Sequence, residues 1–384
     1  MLWIGIVVNL LLLFYFKYTN FLIENLNQYF YLNIKWIYIS LPIGISFFTF
    51  QGLSYLVDVY RNDVEASTSL ITFGAYLSMF PQLVAGPIVR YQTVARELEN
   101  RCENFEQFSL GIKRFNLGLF KKVVIANTLG KFVYILVNLS NKTILSYWLE
   151  VIASTLQLYY DFSAYSDMAI GMGLFFGFHF LENFNYPLFS KSITSFWNNW
   201  HISLSSWLRD YIYIPLGGNK FLVRNVLIVW FCSGFWHGSN WNFILWGLSL
   251  GLVLLFEKRF LLKYLVKLRF LSRLWTFLII VLLFVMFNHE SFIDIMVYYK
   301  SLFGLNDIQL LDSFSIYYLS SYIWFLSLTL LGTTPFFKIV YLKFKYKLPE
   351  VVDILGMLFS LVLLFICSGY LLYAGFNPFL YFRF

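Results

Sequence analysis

Charged residues are scarce in this chain, and their scarcity excludes most soluble protein classes. Only 12% of the 384 residues are charged and 59% are hydrophobic, whereas soluble domains carry about 25% charged residues. We therefore predict an integral membrane protein with no stretch polar enough for a separate soluble domain. The three cysteines are dispersed and odd in number, which favours neither a disulfide framework nor a metal cluster.

A signal peptide and an internal repeat are also missing from the sequence. The N-terminus lacks a basic region and an Ala-x-Ala cleavage site, so it is typical of a retained membrane segment and not of a signal peptide. No internal repeat is visible, which argues against many secondary transporters. The formal charge of +8 comes from Lys and Arg between apolar segments, a pattern that indicates membrane orientation and not nucleic-acid binding.

Apolar segments recur along the whole chain. Because a span needs about 20 residues, we expect about nine to eleven spanning or partial membrane helices. The candidate segments are 2–16, 36–57, 69–85, 147–178, 222–236, 241–256, 274–287, 316–331 and 354–373. Residues 90–131 alternate basic and apolar side chains, as expected for amphipathic helices on the cytoplasmic surface. Basic segments 258–273 and 338–347 are predicted to be cytoplasmic, which places the C-terminus on the outer face.

The run 159–167, Tyr-Tyr-Asp-Phe-Ser-Ala-Tyr-Ser-Asp, brings Asp161 and Asp167 to membrane depth. We expect a helix break here. One interpretation is that the two carboxylates bond to backbone and hydroxyl groups at that break. The other is that Asp161 contacts the substrate.

Polar groups are concentrated in residues 195–237, where His201 and His237 each follow a tryptophan. Ionisable groups in a membrane are tolerated where they face protein or water, and they commonly mark function. We interpret this stretch as a reaction site within the membrane. A neutral His237 imidazole could accept a proton from a hydroxyl nucleophile, as acyl transfer requires; the alternative is a packing histidine.

His201 could orient a substrate, line a tunnel or partner His237, and structural bonding is an equal alternative. No ligand set surrounds it, so we expect no metal site. Arg209 is followed by Asp210, which indicates a structural pair, although Arg209 could also meet the phosphates of a coenzyme. The neighbours of the two histidines are expected to contact substrate: Asn199, Trp200, Trp236 and Asn240.

The C-terminal residues 377–384 read Asn-Pro-Phe-Leu-Tyr-Phe-Arg-Phe. Tyr381 could be an aromatic anchor at the membrane interface. It could also carry an acyl group, because a phenol with a pKa of about 10 leaves more readily than a sugar hydroxyl.

Several motifs together resemble a known family. The chain is similar to the membrane-bound O-acyltransferases, and within them to the bacterial alginate and peptidoglycan O-acetylation branch. The motifs are Leu-Pro-Ile-Gly-Ile-Ser-Phe-Phe-Thr-Phe-Gln-Gly-Leu-Ser-Tyr (41–55), Phe-Pro-Gln-Leu-Val-Ala-Gly-Pro-Ile (80–88), Tyr-Tyr-Asp-Phe-Ser (159–163), Trp-His-Ile-Ser-Leu-Ser (200–205), Gly-Phe-Trp-His-Gly (234–238) and Phe-Leu-Tyr-Phe-Arg-Phe (379–384).

The resemblance implies an all-α, multi-pass protein of the bacterial cell membrane, with one domain over residues 1–384 and a ring of helices around a thin central funnel. It implies that His237 is catalytic, that His201 supports it, and that Tyr381 in the terminal hexapeptide 379–384 receives the acyl group. An extracytoplasmic partner resembling the SGNH hydrolases would then pass that group to a cell-envelope polysaccharide. Chains of this branch usually have further N-terminal membrane segments, so we expect a truncated or misassigned start.

We therefore predict transfer of acetyl from acetyl-CoA to Tyr381, with His237 as general base. One alternative is D-alanyl transfer to teichoic acid from an aminoacyl carrier protein; the Ile-Pro-Leu-Gly-Gly-Asn run at 214–219 favours acetylation. The other alternative is a non-catalytic transporter of an acyl carrier or a lipid-linked sugar.

Overall fold

The computed structural model describes residues 2–84 and 86–374, and these residues form helices and connecting loops without a strand. The α-helices are α1 (Leu2–Phe30), α2 (Ile45–Tyr60), α3 (Leu70–Ser78), α4 (Phe80–Leu83), α5 (Tyr91–Glu99), α6 (Phe105–Phe120), α7 (Asn127–Val137), α8 (Ile144–Phe175), α9 (Ile193–Asn199), α10 (Ile202–Leu208), α11 (Leu222–His237), α12 (Trp241–Phe256), α13 (Leu262–Leu265), α14 (Arg269–Asn288), α15 (Phe292–Leu302), α16 (Ser313–Gly332), α17 (Phe336–Lys347) and α18 (Pro349–Ala374). Short π-helical segments occupy Lys121–Ala126, Arg209–Tyr213 and Glu257–Leu261, and 3-10 turns occupy Pro187–Phe189 and Gly218–Phe221.

Within the described residues, four helices are long and apolar enough to cross a membrane: α1, α14, α16 and α18. Three of them confirm the apolar segments predicted at 274–287, 316–331 and 354–373. The segment predicted at 69–85 is divided between the short helices α3 and α4. The segment at 36–57 becomes helical only at Ile45, after Gly44 adopts a φ of 75°. A side chain at that glycine would meet the Leu83 carbonyl oxygen at 2.2 Å, so the bend needs glycine.

Helix α8 runs through the centre of the fold. It is unbroken over 32 residues, so the helix break predicted at 159–167 is wrong. The polar groups find partners on a neighbouring helix instead: Asp167 pairs with Arg114 at 2.6 Å and with Lys121 at 2.6 Å, and Asp161 pairs with Lys122. Because these carboxylates are neutralised from outside the helix, the α8 backbone has no need to open.

The segment that provides those basic residues, predicted to form amphipathic helices on the cytoplasmic surface, consists of helices that pack mainly against α8. Helices α6 and α7 are joined by the π-helical Lys121–Ala126 into one long element. This element packs closely against α8, since a Cβ on Gly111 or on Gly118 would lie 2.7 Å from a backbone oxygen of α8. Only α5 is a separate short amphipathic helix.

The largest hydrophobic core joins α2, α7, α8, α9, α10, α11, α12 and α14 and is rich in aromatic rings. Trp246, Phe132 and Phe196 are among its fully buried side chains. The helices that carry the two Trp-His pairs therefore meet inside the protein, whereas few residues of the apolar helices α1, α16 and α18 are buried.

Candidate functional site

His237 is the last residue of α11, where a tight hairpin joins α11 to α12. Glycines bring the two helices together. A Cβ on Gly234 would lie 2.3 Å from the Phe243 carbonyl oxygen, and a Cβ on Gly247 would lie 2.3 Å from that of Trp230. Such a close backbone approach holds the end of α11, and with it the imidazole, at a fixed place in the core.

Aromatic rings surround the His237 imidazole, which is only 6% exposed. Ring centroids of Trp236, Trp246 and Phe287 lie 5.1, 5.2 and 5.5 Å from it, all in edge-to-face arrangements. Among the described residues, its buried Nδ1 atom has no hydrogen-bond partner. Buried polar atoms are normally paired, so this nitrogen is a candidate to bind a group of the substrate.

His201 is held by hydrogen bonds. Its Nδ1 atom lies 3.1 Å from Oδ1 of the fully buried Asn183, which also accepts from the backbone and hydroxyl of Ser203. Because an amide oxygen only accepts, we assign the ring proton to Nδ1, which leaves Nε2 as the basic nitrogen of a neutral ring. His201 has a left-handed φ of 44°, a strained conformation that tends to occur at functional sites.

Trp236 stands between the two histidines. Its ring centroid lies 6.1 Å from that of His201 and 5.1 Å from that of His237. The indole N–H donates to the Ser46 carbonyl at 3.3 Å, which ties α11 to α2. The two imidazoles therefore belong to one aromatic cluster.

An inner cavity of about 360 Å³ is bordered by both histidines. Trp200, Ser233 and Arg209 are also on its wall. Arg209 begins the π-helical segment that directly follows α10. The inner cavity therefore extends from the two imidazoles to this segment.

Two other cavities share wall residues with this region. A middle cavity of about 440 Å³ is bordered by His237, Trp236 and Lys17. An outer cavity of about 1420 Å³ is bordered by Lys17 and Asn240, and by Tyr373 near the end of α18. His237 thus borders both the inner and the middle cavity, and Lys17 borders both the middle and the outer one.

Arg209 forms part of a charged cluster at the inner cavity. It binds Asp210 through Nε at 2.6 Å, and Arg90 reaches the same carboxylate at 2.8 Å. Burial acts to raise the pKa of Asp210, but hydrogen bonds and charges from Arg209 and Arg90 outweigh it and hold the pKa below its usual value. Two guanidinium groups share this carboxylate, and that of Arg209 borders the inner cavity, where it could bind an anionic cofactor group.

The remaining predicted residues lie in different surroundings. Asn199 donates to a carbonyl of its own helix at 2.8 Å, while its neighbour Asn198 borders the inner cavity. Asp161 is buried in its pair with Lys122, whose side chain borders the outer cavity. Tyr381 lies outside the described residues. In residues 2–84 and 86–374, no group of three or more His, Cys, Asp or Glu side chains could hold a metal ion.

Two residues of the site were not predicted from the sequence. Lys17 was interpreted only as the end of the first apolar segment, although a lone cation inside such a segment is itself a signal of function. Asn183 carries no comparable signal, because it lies in an irregular loop and meets His201 only through the tertiary fold.

The comparisons with known proteins agree with this geometry. A model of the MBOAT, membrane-bound O-acyltransferase, family matches residues 2–293. The chain is 42% identical over 318 residues to a probable alginate O-acetylase, AlgI, of Azotobacter vinelandii, covering 80% of this chain and 64% of that protein. It is 34% identical over 358 residues to a peptidoglycan O-acetyltransferase of Helicobacter pylori, covering 80% and 66%. Identity to a teichoic acid D-alanyltransferase of Bacillus subtilis is 29% over 223 residues, covering 54% and 56%.

The chain spans 61–65% of the length of three alginate O-acetylases that it matches. The matched family region nevertheless contains both histidines and the residues that border the inner and the middle cavity. With a family model over most of its length and an all-helical fold containing four apolar spans, the chain belongs to the membrane-bound O-acyltransferase family of multi-pass membrane proteins.

Proposed function

We propose that this chain moves an acetyl group from cytoplasmic acetyl-CoA, through the histidine site, to an acceptor on the outer face. The observation that carries the proposal is the position of His237, which borders the inner and the middle cavity at once. A group held there can receive a donor from one side and an acceptor from the other. The names of two relatives, probable alginate O-acetylase and peptidoglycan O-acetyltransferase, support acetyl as the transferred group.

The donor would enter the inner cavity. Arg209 borders that cavity, and its guanidinium would bind the phosphates of the coenzyme. Trp200 forms part of the same wall and would contact the acyl arm. His201, fixed by Asn183, would present its unprotonated Nε2 to the thioester end.

The reaction would proceed by nucleophilic attack of a tyrosine oxygen on the thioester carbonyl carbon. His237 would accept the phenolic proton as the new C–O bond forms, and the C–S bond would then break. The departing thiolate would recover that proton, which yields free coenzyme and an acetylated tyrosine. The unpartnered Nδ1 of His237 supports its assignment as the base.

Tyr381 would be the acceptor. Helix α18 has Tyr370 and Tyr373 on the wall of the outer cavity, which Lys17 and Asn240 also border. Six residues lie between Ala374 and Tyr381, and the seven steps along the chain span at most about 25 Å when extended. The acetylated tyrosine would then serve an SGNH-hydrolase-like partner outside the membrane, which would acetylate a cell-envelope polysaccharide.

Mass spectrometry of the C-terminal peptide tests the proposal. The chain, reconstituted in lipid vesicles, is supplied with acetyl-CoA, and an acetyl adduct on Tyr381 is expected. The adduct should vanish in Tyr381→Phe and in His237→Ala, and it should persist in Tyr346→Phe, a matched change at an exposed tyrosine of α17. An adduct of wild-type yield in His237→Ala would contradict the assigned base.

Two other functions give different results in the same vesicles. D-alanyl transfer, for which the Bacillus subtilis relative is named, predicts that an aminoacyl carrier protein and not acetyl-CoA modifies the chain. A non-catalytic transporter predicts that passage of the acyl carrier survives in His237→Ala. Either result would replace the acetyl-transfer proposal.

A further inference from the structure

Lys17 is a charged residue in the middle of a membrane helix. It is the sixteenth residue of the 29-residue α1, about 24 Å along the helix from its start. An ionisable group at this depth is costly and by default suggests a function together with a specific partner. Its partners lie on α11, more than 200 positions away in sequence.

The ammonium group of Lys17 lies against the end of α11. Its Nζ donates to the carbonyl oxygen of Trp236 at 2.6 Å and to that of His237 at 3.2 Å. The Ser46 hydroxyl lies 3.4 Å away. The ammonium also approaches the Trp236 ring, with 5.8 Å between Nζ and the ring centroid.

The next residue of α1 reaches the same helix end. The Tyr18 hydroxyl donates to the Phe235 carbonyl at 2.6 Å. Its ring stacks on that of Phe235 with 4.1 Å between centroids and 6° between planes. Two consecutive residues of α1 therefore bind three consecutive carbonyl groups of α11.

These carbonyl groups have a special position in a helix. The last four carbonyl groups of an α-helix have no partner within the helix, and they form the negative end of the helix dipole. In lipid or in a dry core, such groups need another donor. A cation and a hydroxyl from α1 satisfy three of them, and the last of the three belongs to His237.

We propose that Lys17 and Tyr18 form a cap on α11 that fixes the backbone of His237, so that Lys17 is a positioning residue for the imidazole. The catalytic meaning of this cap rests on the proposed function, whereas its contacts do not. Lys17 acts through α11 and not on the reacting atoms, because its three N–H donors face three protein oxygens. The cap gives a structural reason for a lysine in the apolar helix α1, where Lys17 borders the middle and the outer cavity.

The geometry sets the size of the expected effect. Holding the carbonyl of His237 fixes its backbone and therefore the direction in which its side chain projects. A misplacement of about 1 Å at a reacting group can lower the rate about a hundredfold. Lys17→Met keeps the length of the side chain but removes its charge and donors. We expect kcat for acetylation by acetyl-CoA to fall tenfold to a hundredfold, on the order of that estimate, with KM for acetyl-CoA unchanged.

Four variants of the full chain in lipid vesicles test the cap. Lys17→Arg restores a cation with several donors and should recover much of the lost kcat. Tyr18→Phe removes one neutral donor and should have a smaller effect than Lys17→Met. Thr19→Val is the matched control, since its hydroxyl bonds only to the Tyr15 carbonyl of its own helix; it should leave kcat unchanged.

A spectroscopic measurement makes the test independent of activity. The chain contains four histidines, so ¹⁵N-histidine labelling gives few signals, and His237→Gln identifies those of His237. Lys17→Met should shift or broaden the His237 ring signals, while Thr19→Val should not. This result supports the cap even if wild-type chain shows no acetyl transfer, which would overturn the proposed function alone.

The opposite result would overturn the cap. That result is a folded Lys17→Met chain with wild-type His237 signals, whatever its activity. If Lys17→Met does not fold, Lys17→Gln and Tyr18→Phe replace it, and unchanged His237 signals in both variants would overturn the proposal equally.

Discussion

His201 and His237 are both buried, 1% and 6% exposed, but the protein holds them by different means. His201 is fixed through its ring, because Nδ1 binds Asn183 and Phe162 packs edge-to-face at 4.8 Å between centroids. His237 is fixed through its backbone and by aromatic packing, and its Nδ1, like the Nε2 of His201, has no partner among the described residues.

This difference indicates a division of roles. The Nδ1 of His201 is committed to a buried amide, which fixes the orientation of the ring, while its Nε2 has no partner among the described residues. His237 borders both the inner and the middle cavity, whereas His201 borders the inner one. On this ground we propose His237 as base and His201 as support, the roles that the family resemblance implies.

Replacing the base should have the largest effect. We expect His237→Gln to lower kcat for acetylation about 10²–10⁴-fold, the usual contribution of general acid–base catalysis, and His201→Gln to lower it less. Rates with acetyl-CoA in lipid vesicles measure both. A larger loss in His201→Gln than in His237→Gln would reverse the assignment of the two roles.

Removing the amide that holds His201 should have an intermediate effect. Asn183→Leu leaves the Ser203 backbone N–H and the His201 ring N–H without their acceptor, at a cost of about 1–3 kcal/mol in the free energy of unfolding. We expect a lower thermal midpoint in detergent and a loss of kcat of about tenfold, equivalent to about 1.4 kcal/mol. The ¹⁵N signals of His201 should move and those of His237 should stay. The reverse pattern would contradict independent support of the two rings.

Disturbing the packing that holds His237 should have the smallest effect. Gly247→Ala places a methyl group 2.3 Å from the Trp230 carbonyl oxygen, so α11 and α12 must separate, and overpacking of this kind costs about 1–3 kcal/mol. We expect a lower thermal midpoint and displaced His237 signals with unchanged His201 signals. Gly369→Ala on α18, where no described atom lies within 4 Å of the added Cβ, is the control and should leave both properties unchanged. Equal midpoints for the two variants would refute close packing of the hairpin.

Much of the fold could be predicted from the pattern of hydrophobicity. The long apolar helices α14, α16 and α18 follow directly from uninterrupted apolar residues, because a span requires length and low charge. The errors concern residues whose charge is neutralised by a distant partner. Asp161 and Asp167 suggested a break in α8, yet Lys122, Arg114 and Lys121 pair with them from an adjacent helix.

The same limit applies to the candidate site. The Trp-His pairs could be found because histidine is rare in this chain and each one lies beside polar residues. Asn183 could not be found, because nothing in its local sequence distinguishes it from an ordinary loop residue. Asn199 is predicted to contact substrate; in the structure its amide nitrogen bonds to its own helix, and its neighbour Asn198 borders the inner cavity. Asn198 and Asn199 are consecutive residues of α9, so their positions differ by about 100° around the helix axis.

The sequence by itself determined that this is an all-helical membrane protein of one family, because composition and ordered motifs are properties of the chain alone. The tertiary structure decided how the two histidines differ. It brought Asn183 to His201, and Lys17 and Tyr18 to the end of α11. These contacts join residues far apart in sequence, and they form because a buried ring N–H or helix-end carbonyl must find a partner wherever the fold provides one.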